Sequence, residues 1–173
     1  MNIRELQKGD IPALAELAAK TFSETFGHSF TAEDLERQVE ETRSETYFRS
    51  VMDNDTLLVA LMDERLAGYV QLSDVKFDVQ GIKPGPSDQA VNAIYVHSDY
   101  QGRGVGWALM DAAFDHPRFK NAESIFIDVW DENKRAVDFY LKYGFEIVGE
   151  CDVTVDGRIV GCDLVMICSA QKG

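Results

Sequence analysis

The sequence predicts a mixed α/β domain with a central, mostly antiparallel sheet of about seven strands, one parallel pair at its centre and about four flanking helices. Seven strand-like runs occupy residues 2–6, 56–62, 66–72, 90–96, 125–129, 145–153 and 158–167. Helical spacing of apolar residues marks four other segments. The helix predicted from about Val105 to Phe114 joins the runs at 90–96 and 125–129, so these two should lie parallel through a right-handed crossover, while the short turns elsewhere make hairpins. At 173 residues the chain reads as one domain, long enough for one substantial core.

Asn2-Ile3-Arg4-Glu5-Leu6 makes a first strand, and Asp10 before Ile11-Pro12 reads as an N-cap with proline at an early helical position. Ile11, Leu14, Leu17, Ala18 and Phe22 then recur on one helical face, which Gly27 ends. Thr31-Ala32-Glu33-Asp34 resembles a capping start for a second helix with Leu35, Val39 and Phe48 on its inner side. The runs at 56–62 and 66–72 form a hairpin around Asp63-Glu64-Arg65. Residues 76–89, with Gly81, Pro84, Gly85 and Pro86, make the one long loop, either a cover for an acceptor or a plain connection. A helix from about Asn133 to Tyr143 stops at Gly144, and the last two strands meet across Asp156-Gly157.

The strand Val91-Asn92-Ala93-Ile94-Tyr95-Val96 leads into Gln101-Gly102-Arg103-Gly104-Val105-Gly106 and then a helix start. Alternate glycines let the backbone turn tightly, and the helix adds unpaired N–H groups and a positive dipole end. Such a loop seats a pyrophosphate, with Arg103 placed to add a charge-assisted contact. Two rival phosphate motifs fail. A dinucleotide fingerprint needs glycine where this chain has Trp107, although Asp128 would fit its ribose-binding acid, and a triphosphate loop needs Gly-Lys-Ser/Thr, which does not occur.

The pattern Gln-x-x-Gly-x-Gly after Ile94-Tyr95-Val96, followed by Asn133, Ala136, Phe139-Tyr140 and Tyr143-Gly144-Phe145, resembles the GNAT superfamily of acyl-CoA-dependent N-acetyltransferases. Upstream, Thr21-Phe22-Ser23-Glu24-Thr25-Phe26-Gly27-His28 is similar to the first-helix region of its diamine and polyamine branch. The resemblance implies acetyl-CoA as donor and a small amine, a polyamine or diamine, as acceptor. It also implies that the parallel strands splay apart and that a pantetheine arm lies along Ile94, Tyr95 and Val96. The Val96 N–H would polarise the thioester carbonyl, and Gln101, Gly102, Arg103, Gly104, Val105, Gly106, Asn133, Ala136, Tyr140 and Tyr143 would complete the coenzyme site. Dimers are common in the family, so a homodimer is one expectation.

Tyr140 is the candidate general acid. It stands seven residues after Asn133, about two helical turns, so the two side chains share a face within about 20°. A departing thiolate with pKa near ~8.5 can take a proton from a phenol near ~10. Tyr143 competes from about 80° round the helix from Asn133, and the other reading of Tyr140 is a core tyrosine beside Ala136, Val137 and Leu141. Asn133 caps its helix in either case. An acceptor amine near pKa ~10.4 must lose a proton before attack. Glu24, His28, His97 and Asp128 are the candidates for receiving it, and Glu24 is preferred as the contact to the substrate ammonium.

Composition narrows the partners. A net charge of −13 argues against nucleic acid and favours the approach of cationic substrates, although acidity also serves solubility alone. No apolar run approaches a membrane span and no secretory leader is read at Met1, so a cytoplasmic protein is expected. Cys151, Cys162 and Cys168 lack metal-ligand spacing and read as buried free thiols, the three histidines are dispersed, and no metal is expected. Two further readings stay open: acetylation of a protein N-terminus or lysine, and an acyl-CoA-binding regulatory module without turnover.

Overall fold

The computed structural model describes residues 1–76, 82–155 and 157–170. Its strands are β1 (Asn2–Glu5), β2 (Thr56–Met62), β3 (Arg65–Asp74), β4 (Gln89–Val96), β5 (Ser124–Trp130), β6 (Glu146–Val155) and β7 (Arg158–Ser169). Its helices are α1 (Ile11–Phe26), α2 (Ala32–Arg43), α3 (Glu45–Val51), α4 (Val105–Asp115), the single turn α5 (Pro117–Lys120) and α6 (Lys134–Tyr143). The seven strands follow the order β1-β2-β3-β4-β5-β7-β6, with β4 and β5 parallel and the β1/β2, β2/β3, β5/β7 and β6/β7 pairs antiparallel. This is the expected mixed sheet. Among the described residues no helix is long and apolar enough to cross a membrane. The chain divides into two compact units, Met1–Leu72 with Ala93–His116, and Ser73–Asn92 with Pro117–Gly173.

In the first unit α1 buries Ile11, Leu14, Leu17, Ala18, Thr21 and Phe22, the three-and-four spacing that turns one helical stripe inward. Ile11, Leu14, Leu17 and Ala18 meet Phe48, Leu57, Val59 and Tyr69 in one apolar cluster, while α4 packs across β1 and β2. Asp10 precedes α1 as expected but does not cap it with its side chain. Its carboxylate instead accepts from both ends of the Arg4 guanidinium, at 2.6 and 3.0 Å, and from the Gln7 N–H at 2.8 Å. The Arg4 hydrogen bond holds the Asp10 carboxyl below the usual range despite partial burial. A two-point pair with a guanidinium outcompetes a single bond to a helix N–H.

The single second helix of the sequence reading is two helices. Thr31 caps α2 by accepting from the Asp34 N–H at 3.2 Å, and Ser44 stops it in extended conformation and caps α3 by accepting from the Tyr47 N–H at 3.2 Å. Phe48 therefore belongs to α3, fully buried, and the buried residue of α2 is Asp34, ion-paired with Arg37 at 2.7 Å, while Leu35 and Val39 are half-buried. Ser44 is the sequence signal for the break, since a serine at an N-cap takes up an orphan N–H of the helix that follows it. The β2–β3 hairpin turns on two residues, Asp63 and Glu64, at φ of 50° and 64°, the paired left-handed geometry that matches strand twist.

In the second unit the parallel ladder is short, Gln89 against Ile125 and Ala90 against Phe126. β5 runs on from there to Trp130 along β7, whose other edge carries β6. Ala90, Phe126 and Val165 form the local core. The described part of the long loop is tied by Asp88, which accepts from the Gly85 N–H at 2.7 Å and the Ser124 N–H at 3.1 Å. Residues 77–81 of that loop, and Asp156 of the last hairpin turn, lie outside the described residues. Of the three cysteines only Cys168 is buried; Cys151 and Cys162 are half-buried and all three are free thiols. The expectation of three buried thiols fails because side chains of β6 and the start of β7 are only partly covered.

Candidate active site

The first unit carries the glycine loop. Gly102 and Gly104 adopt φ of 76° and 81°, the left-handed region, and Gly104 is the N-cap of α4. The space beside both is open, since a methyl group built on either would meet no atom within 4 Å. Left-handed residues leading straight into a helix turn successive N–H groups to one side, and the first turn of α4 supplies more N–H groups without intrahelical acceptors. Gln101 anchors this loop to the strand before it, its Nε2 donating to the Val96 carbonyl at 3.1 Å. Arg103 lies over the Tyr100 ring at 5.6 Å, so its cation stays beside the loop. Ile94, Tyr95 and Val96 at the end of β4 are half-buried. The Tyr95 ring stacks on Tyr69 at 5.9 Å.

In the second unit Asn133 caps α6 by accepting from the Ala136 N–H at 3.2 Å, as its position suggested. Tyr140 and Tyr143 are both buried, each 5% exposed, and both pack on Phe145, with ring centroids 5.8 and 6.4 Å away. The angle of about 60° that separates them round the helix is thus spanned by one inward face. Leu141, expected on that face, is 45% exposed instead, because one further residue rotates by 100° to the solvent side. Ala136 is half-buried beside the cap.

The acid–base candidates separate cleanly. His28 is exposed in the turn after α1. Glu24 is half-exposed and lies 4.0 Å from Lys20, one turn earlier on α1. The Lys20 Nζ lies 3.0 Å from His97 Nε2, while His97 Nδ1 accepts from the Asp99 N–H at 3.2 Å. A Glu24, Lys20, His97 file therefore runs from α1 to the residue after β4. Lys20 was not singled out in the sequence, and nothing in its helical position distinguishes it from a surface lysine. In the second unit Asp128 of β5 shares a hydrogen bond with Asp163 of β7. Burial, and then the Asp128 charge, push the Asp163 carboxyl up to about 7, and burial also raises Asp128. Only the β5–β7 register, with Asp128 opposite Val165 and Trp130 opposite Asp163, brings these acids together.

A model of the acetyltransferase (GNAT) family matches residues 11–145. An uncharacterized N-acetyltransferase of Lactobacillus delbrueckii subsp. lactis is 27% identical over 146 residues, 83% of each chain. The peptidyl-lysine N-acetyltransferase YiaC of Escherichia coli is 27% identical over 147 residues, 84% of each chain. Among solved structures, the PaiA N-acetyltransferase of Thermoplasma acidophilum in complex with coenzyme A superposes with a TM-score of 0.76 at 21% identity, covering 97% of this chain and 98% of that one.

Proposed function

The chain belongs to the acetyltransferase (GNAT) family, and from that premise we propose that it transfers the acetyl group of acetyl-CoA to the primary amine of a small acceptor. The observation that carries this reading is the pair of left-handed glycines, Gly102 and Gly104, opening into α4 with free space beside them. A pyrophosphate needs such bare backbone and a helix start. Acetyl-CoA supplies an acetyl thioester. Gly102 to Gly106 with Arg103 would hold its phosphates, and the backbone of Ile94, Tyr95 and Val96 its pantetheine amides. The end of the parallel ladder at Ala90 and Phe126 supports that assignment, since β4 continues to Val96 beyond it.

The Val96 N–H is assigned to the thioester carbonyl, where a fixed donor stabilises developing negative charge. Tyr140 is assigned the proton given to the departing thiolate; its burial on the inner face of α6 fixes its rotamer for that task. Asn133, Ala136 and Tyr143 hold α6 and its coenzyme-facing surface. Glu24 is assigned to the acceptor ammonium, with Lys20 and His97 in file beside it. Polyamines and diamines are the acceptors that the net charge of −13 favours, and a protein lysine is the acceptor that the YiaC name suggests.

Coenzyme A release from acetyl-CoA, measured on a panel of polyamines, diamines, amino acids and short peptides, tests the reading. Turnover is expected on at least one primary amine. Tyr140→Phe should lower kcat by about 10²-fold or more with little change in the KM for acetyl-CoA. Tight acetyl-CoA binding without turnover on any amine would sink it in favour of a regulatory binder.

A further inference from the structure

Arg43, the last residue of α2, is a half-buried cation with no carboxylate partner among the described residues. Its Cζ lies 4.5 Å from the centre of the Phe22 ring and 5.7 Å from that of Tyr95. One end of the guanidinium donates to the Thr42 carbonyl at 3.0 Å and to the Thr42 hydroxyl. Its Nε is sealed from solvent with no acceptor among the described residues. The hydroxyl of fully buried Tyr69, which feels the Arg43 charge, is likewise without a hydrogen-bond partner. Both groups are donors, and both lack an acceptor in the same part of the first unit.

This is not the chain's habit with arginine. Arg4, Arg37, Arg49 and Arg118 each hold a carboxylate oxygen at 2.6 to 2.8 Å. With 30 acidic residues against 17 basic ones, a partner for Arg43 was easily supplied. Two aromatic faces offset only part of the cost of taking an arginine out of water. Burial opposes the charge, but the neighbouring Tyr95, Tyr69 and Tyr47 side chains, Tyr95 also through a hydrogen bond to the guanidinium, hold Arg43 above the usual arginine range. The location adds meaning. Tyr95 stands next to Val96, the residue assigned to the thioester carbonyl, so Arg43 borders the acceptor end of the proposed site. It does so on the α1 side, where Phe22 supplies an apolar wall.

Resting on the acetyl-transfer reading, we propose that Arg43, aided by the Tyr69 hydroxyl, receives a carboxylate of the acceptor, which is therefore an amino acid or a closely similar amino carboxylate. A carboxylate offers enough lone pairs for both donors and a planar match to a guanidinium. A diamine would bring a second cation to Arg43 and be disfavoured there.

The test uses amines that differ only by a carboxylate, L-lysine against cadaverine and L-ornithine against putrescine. Each pair is compared by the rate of coenzyme A release and by calorimetric titration into the protein saturated with coenzyme A. The carboxylate member should be favoured about 30-fold or more in kcat/KM and in Kd. Arg43→Gln should bring the ratio to about 2-fold or less while moving the KM for acetyl-CoA less than about twofold, and Arg43→Lys should keep part of the preference. Tyr69→Phe deletes a hydroxyl that bonds nothing, so it should fold, and it should lower the preference by a smaller factor. A diamine bound as well as its amino acid, binding of neither member, or an equal loss on both members in Arg43→Gln would overturn the proposal. The titration answers even if no amine is acetylated. In that event the transfer reading fails alone, and the carboxylate site stands or falls on binding.

Discussion

Glycine serves the two units for opposite reasons. In the first, Gly102 and Gly104 stand in open space and are required by their backbone angles, φ of 76° and 81°. In the second, Gly161 on β7 is required by crowding, because a methyl group built there would lie 2.0 Å from Cη2 of Trp130, a side chain itself buried at 9% exposure. One pair of glycines faces open space, and the other glycine leaves room for the protein's own indole. Substitution should therefore damage binding at the first place and stability at the second.

The largest expected effect breaks the second half of that comparison. Gly161→Ala should destabilise the fold by about 3 kcal/mol, because Trp130 must leave its position against β7 or the strand must shift. For a chain of this size that lowers Tm by roughly 6–12 °C, measured by calorimetry with and without coenzyme A. An unchanged Tm would show that the indole moves aside freely. Gly104→Ala probes the other half. Left-handed strain should cost about 1–2 kcal/mol, and with a methyl group in the phosphate cradle the Kd for acetyl-CoA should rise about 10-fold or more while kcat at saturation holds. If Gly104→Ala lost stability but kept coenzyme affinity, the contrast between the two glycine roles would collapse.

A smaller effect sharpens the comparison by its pH dependence. The Asp163 carboxyl, raised to about 7 by burial and by Asp128, keeps a proton that the unfolded chain releases near the ordinary carboxylate range. Stability then falls as pH rises from about 4 to about 7 and levels off above it, since the native state binds more protons across that window. Asp163→Asn should remove this slope, leaving Tm nearly unchanged at pH 4 and raising stability by about 1–2 kcal/mol at pH 8, a value discounted for partial exposure.

The contrast also explains what could be read in advance. Local signals sufficed for the glycine loop, for the Asn133 cap and for most strands, because turn chemistry, capping and side-chain period act over a few residues. They misled where a side chain had a better remote partner. Asp10 looks like a cap by position but bonds Arg4 on β1. Leu35 and Val39 mimic a buried helical face, yet Ser44 divides the segment and sends Phe48 inward from a different helix. Arg43 in the last turn of α2 reads as a routine dipole partner, and nothing nearby in sequence reveals that Phe22, Tyr69 and Tyr95 enclose it.

What the amino-acid sequence determined by itself is the mixed sheet, the order of its elements, the tight glycine turn at residues 101–106 and the Asn133 cap of α6, since each is written in neighbouring residues or in a fixed repeat. Only the tertiary structure decided which distant groups meet: Asp128 with Asp163 across a strand register, Lys20 between Glu24 and His97, and Arg43 between the Phe22 and Tyr95 rings. The physical reason is range. Backbone geometry and capping are settled within a turn or two of chain, whereas burial and the pairing of charges depend on residues that come together only when strands and helices pack.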